Sequence, residues 1–232
     1  MSKGALPYFA RWCLGLAPAQ TQTTQAERDC IARHAAGRRR LAEVGVWHGV
    51  TTSRLRQAMA PDGVLLAIDP FPPGRLGFST QRVIARRTVG RCRRGRVVWL
   101  RATGARAVDE PVVRELGGID FLFIDGDHSY EGLRGDWEAW SPLIVPGGCV
   151  ALHDSCSTPS NNIDDAGSVH YTREVIRADP RFEVLEVVDT LTVVRRHVCP
   201  RPDPLAQDGY GQASWSVMGL RSPRTCRPGG GL

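Results

Sequence analysis

The chain has 232 residues, of which 42% are hydrophobic, and a formal net charge of +6. This length gives room for one good-sized core, whereas two full domains would be cramped. No run approaches the roughly 18 uninterrupted apolar residues that a membrane helix needs, and no signal peptide is apparent, so we expect a cytoplasmic protein without a membrane partner. The seven cysteines include no Cys-x-x-Cys pair, which argues against a zinc site or a disulfide framework.

The positive charge comes mainly from arginine, which raises the question of a nucleic-acid partner. Arginine runs occur at 38–40, 86–87, 93–94 and 195–196, far apart and without interleaved aromatic residues. Surfaces that bind single-stranded nucleic acid combine positive charge with aromatic side chains. We therefore interpret these arginines as solvated surface and do not expect nucleic acid to bind.

Residues 1–40 are predicted to form a helical lead-in. Thr24 is a candidate N-cap for a helix over 25–36, and Gly37 is a candidate end for it. We expect this lead-in to cover a substrate pocket or to form a contact in a homo-oligomer. At the other end, residues 199–232 are rich in Pro, Gly and Ser and are predicted to lack fixed structure.

Residues 41–198 alternate short apolar runs with amphipathic ones and are predicted to form the main domain. The predicted strands cover 41–45, 64–68, 97–100, 119–124 and 149–152, and the predicted helices cover 51–59, 80–89, 107–116, 130–140 and 169–176. This alternation indicates a parallel sheet covered on both faces. The last two runs, 182–188 and 191–194, have hairpin spacing. We predict a doubly wound, Rossmann-like α/β domain with a mostly parallel, seven-stranded sheet and a C-terminal antiparallel hairpin.

The turn after the first strand is the first candidate binding site, because such sheets bind ligands beyond the carboxyl ends of their strands. It reads EVGVWHG from Glu43 to Gly49, and Asp69 follows about twenty residues later, where an acidic side chain can bind both ribose hydroxyls. A dinucleotide site would have Gly-x-Gly-x-x-Gly and no carboxylate beside the pyrophosphate. Bulky residues between Gly45 and Gly49, together with the anionic Glu43, favour a sulfonium cofactor derived from methionine, which carries an ammonium and no phosphate.

Two later strands end in polar residues, in the motifs FIDGDHS and VALHDS. Because neighbouring parallel strands end at one edge of the sheet, we expect Asp125 and Asp154 to converge on a cation. Hard oxygen ligands of this kind suit Mg²⁺ or a similar divalent ion. His128 is the candidate general base, since the reference pKa of imidazole is about 6.5.

The same residues also have simpler structural interpretations. Asp125 can cap the following helix, and Asp127 suits a helix start because of the helix dipole. His128 can instead be a structural or cofactor-contacting side chain. We interpret His153 as a packed neighbour rather than a ligand, and the two tryptophans of the following helix, Trp137 and Trp140, as core residues.

The motif EVGVWHG with the downstream AIDPF resembles the first two motifs of class I S-adenosylmethionine-dependent methyltransferases. The pattern FIDGDHSYEG through PGGCVALHDS is similar to the macrolide-sugar O-methyltransferases and cephalosporin-hydroxylase-like proteins within that class. It is more distantly similar to catechol and caffeoyl-CoA O-methyltransferases. The resemblance covers residues 41–195, nearly all of the predicted main domain.

The resemblance implies roles for particular residues. The residues expected to bind the S-adenosylmethionine cofactor are Glu43, Gly45, Gly49, Asp69, Thr103, Gly104, Ala105 and Asp125. It further implies a divalent metal held by Asp125 and Asp154, with His128 as the catalytic base. Ser155 stands where the catechol-type relatives have an Asn ligand, which leaves the third protein ligand open, with Asp127 as a candidate.

The expected function is therefore metal-assisted O-methylation of a small-molecule hydroxyl, and the resemblance points to a sugar or polyol of secondary metabolism. Methylation of nitrogen or of catechols stays open, as does an RNA methyltransferase, which the arginines suggest. A metal-dependent phosphoesterase is a further alternative, because Asp-x-Asp-His is also a metal-ligand spacing. A non-catalytic binding module fits less well, because the acid and histidine cluster is present.

Overall fold

The strands assemble into one sheet with helices on both faces. The computed structural model describes residues 5–74 and 77–198. The strands are β1 (Arg40–Val44), β2 (Val64–Ile68), β3 (Arg96–Leu100), β4 (Ile119–Ile124), β5 (Ile144–Leu152), β6 (Phe182–Val188) and β7 (Leu191–Arg196). The helices are α1 (Ala5–Cys13), α2 (Gln25–Ala35), α3 (Val50–Ala58), α4 (Thr80–Gly90), α5 (Gly104–Ala107), α6 (Pro111–Glu115), α7 (Tyr130–Trp140) and α8 (Gly167–Tyr171). The tail predicted over 199–232 lies outside the described residues.

The strand order is β3-β2-β1-β4-β5-β7-β6. Strands β1 to β5 pair in parallel, and β7 lies antiparallel between β5 and β6. The predicted doubly wound, seven-stranded sheet with a C-terminal antiparallel hairpin is confirmed. The chain builds outward from β1 to β3 and then returns to the other side of β1. The switch in strand order therefore lies between β1 and β4, where open α/β sheets form their ligand crevice.

Each face of the sheet has its own core. Helices α5 to α8 cover one face, and Trp137 and Trp140 of α7 are buried there, as predicted. The indole N–H of Trp140 donates to the carbonyl of Gly104 at 2.9 Å, which ties α7 to the loop after β3. Helices α2 and α3 cover the opposite face. Among the described helices, none combines the length and apolar character that crossing a membrane requires.

Helix α2 begins at the predicted N-cap. The side chain of Thr24 accepts from the backbone N–H of Glu27 at 3.1 Å, and the Glu27 carboxylate accepts from the N–H of Thr24 at 2.7 Å. This reciprocal pair is a capping box. Glu27 also accepts from the backbone N–H and the hydroxyl of Thr190, at 3.0 and 2.8 Å. The first turn of α2 is thereby fixed to the turn between β6 and β7.

Two predicted helices differ from the observed ones. The helix predicted over 107–116 is two short helices, because Pro111 starts α6 and cannot continue a helix that precedes it. The helix predicted over 169–176 begins at Gly167 and changes to a π-helical turn over Thr172–Ile176. A π turn has no sequence period that would reveal it beforehand.

The fifth strand is longer than predicted. The Pro-Gly-Gly segment, predicted as a turn before a strand over 149–152, lies within β5, which begins at Ile144. The pairing with β4 changes register between Ile119 and Phe121, and Gly147 has a φ of 77°. These residues therefore form an irregular stretch of the strand rather than a separate turn.

Candidate functional site

A cavity of about 660 Å³ opens beside the carboxyl ends of β1 and β4. This volume lies within the usual range for small-molecule sites. The predicted site residues that line it are Glu43, Gly45, Asp69, Thr103, Gly104, Ala105, Asp125, Asp127 and His128. Gly49 and Asp154 are outside this lining. The fold therefore gathers the residues of both predicted ends of the site around one space.

Gly45 is where the ends of β1 and β4 come into contact. Its φ is 90°, and a Cβ atom added there would lie 1.9 Å from the backbone oxygen of Asp125. Gly49, with a φ of 73°, starts α3 and packs beneath Val89, 2.9 Å from an added Cβ. A glycine is therefore needed at position 45, because the backbone of Asp125 comes too close for any side chain. Gly49 instead allows α3 to pack closely against α4.

Glu43, the last residue but one of β1, is a buried carboxylate facing the cavity. It is 1% exposed, and neither of its oxygens makes a hydrogen bond of good geometry among the described residues, although the Thr52 hydroxyl lies close enough to oppose the rise in its pKa. Burial, with the nearby charges of Asp125 and Asp69, raises the pKa of Glu43 well above its usual range. A buried carboxylate without a partner is costly. The site therefore suits a cation that enters from the cavity and pairs with Glu43.

Asp69 has a positioning role that the sequence did not indicate. One of its oxygens accepts from the backbone N–H groups of Val46 and Trp47, at 3.1 and 3.0 Å. The other accepts from the N–H of Phe71 at 2.7 Å. Asp69 therefore fixes the turn after β1 while also bordering the cavity. Its predicted contact with a ribose stays a prediction.

The loop after β3 forms another wall of the cavity. A Cβ added to Gly104 would lie 2.3 Å from the carboxylate of Asp136, which also accepts from the backbone N–H of Ala105. Burial raises the pKa of Asp136 to about 6. Asp136 lines the cavity and was missed from the sequence. The available signal was its position on the apolar face of α7, between Leu133 and Trp137.

An acid and histidine cluster lies where β4 and β5 end. Oδ1 of Asp125 lies 2.9 Å from Nδ1 of His153 and 3.5 Å from Nε2 of His128. Oδ2 of Asp154 lies 3.7 Å from Nδ1 of His153 and 3.9 Å from Nε2 of His128. Adjacent parallel strands deliver these groups, since Ile124 pairs with Leu152 in the sheet. Asp125, His128 and His153 can together hold a metal ion.

His153 is buried, as expected of a packed neighbour, but its ring faces three carboxylates. Its Nε2 atom lies 3.5 Å from Oε2 of Glu27, on the side opposite Asp125 and Asp154. Burial alone would lower the pKa of His153, but Asp125 and Glu27 with Asp154 raise it to about 10. Burial also raises the pKa of Glu27, and hydrogen bonds from His153, Thr24 and Thr190 bring it down to about 2. The sequence did not indicate that Glu27 would reach this cluster.

Asp154 and Asp127 differ in their surroundings. Asp154 has a φ of 47°, a left-handed conformation, and its carbonyl accepts from the Ser168 hydroxyl at 2.6 Å. Such conformations cost about 1–3 kcal/mol and concentrate at functional sites. The Asp127 carboxylate accepts from the backbone N–H of Ser129 at 2.9 Å, and this contact lowers its pKa. The structure thus gives Asp127 the helix-start contact that was its structural alternative.

The loop between α1 and α2 forms part of the cavity wall. Gln20, Thr21 and Gln22 line the cavity, and the N–H of Gln20 donates to Nδ1 of His48 at 3.1 Å. The ring of His48 stacks on Tyr8 at 5.5 Å, and burial lowers its pKa to about 4. A neutral, stacked His48 therefore anchors this loop beside the turn after β1.

Comparison with known proteins identifies the class. A protein-family model described as "methyltransferase domain" matches residues 42–155, which run from β1 to the acid and histidine cluster. The chain contains a class I methyltransferase domain. The predicted class of enzyme is confirmed. Among curated protein sequences, none matches the chain.

Several solved structures are similar to this methyltransferase. An O-methyltransferase from Bacillus cereus, in complex with S-adenosylhomocysteine, has a TM-score of 0.52 and 17% identity, covering 84% of this chain and 92% of that one. The O-methyltransferase TomG from Streptomyces achromogenes is involved in tomaymycin synthesis and was solved with S-adenosylmethionine. It has a TM-score of 0.53 and 16% identity, covering 85% of this chain and 91% of that one. An rRNA methylase from Streptococcus thermophilus has a TM-score of 0.51 and 11% identity, covering 76% of this chain and 99% of that one. At these identities the likeness establishes the fold alone.

Proposed function

We propose that this domain uses S-adenosylmethionine, with the help of a divalent metal, to methylate a hydroxyl group of a small molecule. The observation that carries the cofactor assignment is Glu43, a buried carboxylate that faces the cavity and has no cationic partner among the described residues. The methionine ammonium is the cation that would satisfy it. The similar O-methyltransferases from Bacillus cereus and Streptomyces achromogenes hold S-adenosylhomocysteine and S-adenosylmethionine, which supports the same cofactor here.

The remaining cavity walls suit the rest of that cofactor. Asp69, at the end of β2, borders the cavity and is proposed to bind the ribose hydroxyls. The loop of Thr103, Gly104 and Ala105 is proposed to border the adenine. Asp136 packs against that loop and, with its raised pKa, is placed to bind a polar edge of the base.

The charge of the cavity favours a neutral or cationic acceptor over an anionic one. The acidic residues of its lining are Glu43, Asp69, Asp125, Asp127, Glu131 and Asp136, and no lysine or arginine is among the described lining residues. A phosphate group would be repelled there unless several cations compensated. The cavity therefore argues against both the RNA and the phosphoesterase alternatives.

The arginines also have local partners. Arg40 pairs with Asp120 at 2.5 Å, and Arg195 pairs with Glu183 at 2.6 Å. Arg38 donates to the carbonyl of Gly147 at 3.4 Å. These contacts support the interpretation of the arginine runs as ordinary surface. The choice of a sugar or polyol as acceptor, a cytoplasmic location and a homo-oligomer all stay predictions.

The acid and histidine cluster fits a divalent metal, because carboxylate and imidazole groups converge there and no lysine or arginine of the described residues neutralises them. Asp125 and Asp154 would hold the ion. Such an ion lowers the pKa of a bound hydroxyl and orients it for attack. His128 borders the cavity with 35% of its side chain exposed, and is proposed to accept the hydroxyl proton at Nε2.

The cofactor assignment is tested through the pH dependence of binding. Free Glu43 has a raised pKa, so below that pKa it must lose a proton before it can pair with an ammonium. Affinity for S-adenosylmethionine should therefore rise by up to about tenfold per pH unit and become flat above that pKa. Calorimetric titration at a series of pH values, in buffers of different ionisation enthalpy, measures both the affinity and the proton release.

Glu43→Gln should remove this pH dependence and weaken binding about 10- to 100-fold, because one charge-assisted hydrogen bond is lost. NAD serves as the control ligand and should not bind measurably. No binding of S-adenosylmethionine to the unmodified protein at any pH would sink the proposal. Unchanged affinity in Glu43→Gln would reject the contact between Glu43 and the ammonium but would leave the cofactor assignment standing.

His128 is tested by removal and chemical rescue. His128→Ala should slow methyl transfer about 10²- to 10⁴-fold, the usual range for loss of a general base. Added imidazole should restore part of the rate, since the side chain borders the cavity. S-adenosylhomocysteine formation, followed with the best acceptor from a panel of sugars, polyols and catechols, provides the rate. His170→Ala is the matched control and should be nearly neutral, because the His170 side chain lies on α8 and contacts the side chains of Arg173 and Glu174.

A further inference from the structure

We propose that His153 is the third protein ligand of the metal, through its Nδ1 atom, and that Glu27 of the N-terminal helix α2 orients it. The inference rests on the proposed metal-assisted function and identifies the ligand that the sequence left open at Ser155. The resulting site has two carboxylates and one imidazole, from Asp125, Asp154 and His153. It involves a residue outside the matched methyltransferase segment, since that segment begins at residue 42.

Nδ1 of His153 faces both carboxylates, where it could serve as a ligand atom. Oδ1 of Asp125 lies 2.9 Å from Nδ1 of His153, yet Nδ1 is buried with no aligned hydrogen-bond partner among the described residues. Oδ2 of Asp154 lies 3.7 Å from the same nitrogen. Ligand atoms at about 2.1 Å from a shared octahedral ion stand about 3 Å apart when adjacent. The 2.9 Å separation is therefore that of two adjacent ligands of one ion, whereas Asp154 would have to move closer to share it, because the ligand atoms that all lie within 4.8 Å of one another are those of Asp125, His128 and His153.

The other ring nitrogen of His153, Nε2, faces a carboxylate, as the second nitrogen of a metal-binding histidine usually does. Oε2 of Glu27 lies 3.5 Å from Nε2, and both side chains are almost fully buried, at 1% and 3% exposure. A carboxylate behind the ring keeps a proton on Nε2, so Nδ1 is the nitrogen that would bind the ion. Glu27 is itself fixed by Thr24 and Thr190. His128 has no corresponding carboxylate behind it in the described contacts, and it is the more exposed of the two histidines.

An imidazole ligand changes which ion the site prefers. Oxygen ligands alone suit Mg²⁺, whereas imidazole suits Fe²⁺, Ni²⁺ or Zn²⁺ better, and Co²⁺ lies between Fe²⁺ and Ni²⁺ in the usual order of affinity. We therefore expect the metal-stripped protein to bind Co²⁺ at least about 100-fold more tightly than Mg²⁺, a preference that an oxygen-only site would show far less strongly. This revises the expected Mg²⁺ to an ion of the first transition series.

The test is a titration of the metal-stripped, full-length protein with CoCl₂ and with MgCl₂, followed by visible absorption and calorimetry. His153→Asn offers an oxygen in place of the nitrogen, so Co²⁺ affinity should fall at least about tenfold while Mg²⁺ affinity changes little. Glu27→Gln should weaken Co²⁺ binding about 10- to 100-fold and shift the Co²⁺ absorption bands. A purely structural role of Glu27 would lower thermal stability without moving those bands.

His128→Asn is the matched control and should retain the Co²⁺ affinity and spectrum. Loss of Co²⁺ binding in His128→Asn, with His153→Asn unaffected, would overturn the assignment and make His128 the ligand. Equal Co²⁺ affinity in all three variants would also overturn it. Absence of any metal binding would mean that protonated His153 is itself the counter-ion of the carboxylates. Because S-adenosylmethionine binding is measured separately, each of these outcomes leaves the cofactor assignment intact.

Discussion

Asp154→Asn is expected to reduce metal-stimulated methyl transfer at least about 10³-fold, because it removes one of the two carboxylates that would hold the ion. The substitution conserves size and is tolerated by the left-handed backbone at this position, where φ is 47°. Asp154 does not line the cavity, so affinity for S-adenosylmethionine should remain within about threefold of the unmodified protein. Turnover with and without added metal, together with cofactor calorimetry, provides the two measurements.

Asp127→Asn is the informative control for this experiment. Asp127 was the sequence-based candidate for the third ligand, but its carboxylate accepts from the N–H of Ser129 at the start of α7. An Asn side chain can keep that contact, so the rate should fall by less than about tenfold. Equal losses in Asp127→Asn and Asp154→Asn would return Asp127 to the ligand set. Full activity in Asp154→Asn would show that the negative charge of Asp154 is not needed to hold the ion.

Much of this site was predictable because its residues follow strands directly. Glu43 lies near the end of β1 and Asp125 directly follows β4, and these are the two strands at the switch in strand order. Ligands of open α/β sheets bind beyond the strand ends at that switch, so the sequence pattern alone was enough to place the two side chains together. The apolar runs were equally informative, because strands buried on both faces leave a continuous hydrophobic signature.

The parts that were missed depend on contacts between distant segments. Glu27 looked like half of a capping box, and nothing local indicates that α2 lies across the end of β5 beside His153. Its position is set by packing against α3 and by Thr190. Asp136 was overlooked for a related reason, since a helix pattern records which face is buried but not which loop that face meets. Pro111 is different, because a proline inside a predicted helix is itself a sequence signal that the helix breaks there.

Gly45→Ala is expected to destabilise the domain by about 4 kcal/mol and to abolish measurable S-adenosylmethionine binding. A methyl group would meet the Asp125 carbonyl oxygen at 1.9 Å. The methyl carbon is fixed to Cα and the oxygen belongs to the backbone, so neither can rotate away. Separating them moves the end of β1 from the end of β4, which displaces Glu43 and Asp125 together. Denaturant unfolding gives the free-energy change, and calorimetry at a temperature where the variant is folded gives the binding.

The matched control is Gly37→Ala, which separates backbone strain from the clash. Gly37 has a φ of 70°, similar to the 90° of Gly45, but an added Cβ there would meet nothing within 4 Å. It should cost only the strain of a left-handed alanine, about 1–2 kcal/mol, and leave cofactor affinity unchanged. If both variants lose the same stability, the backbone conformation alone explains Gly45. If Gly45→Ala alone loses binding, the contact between the two strand ends is what shapes the cofactor site.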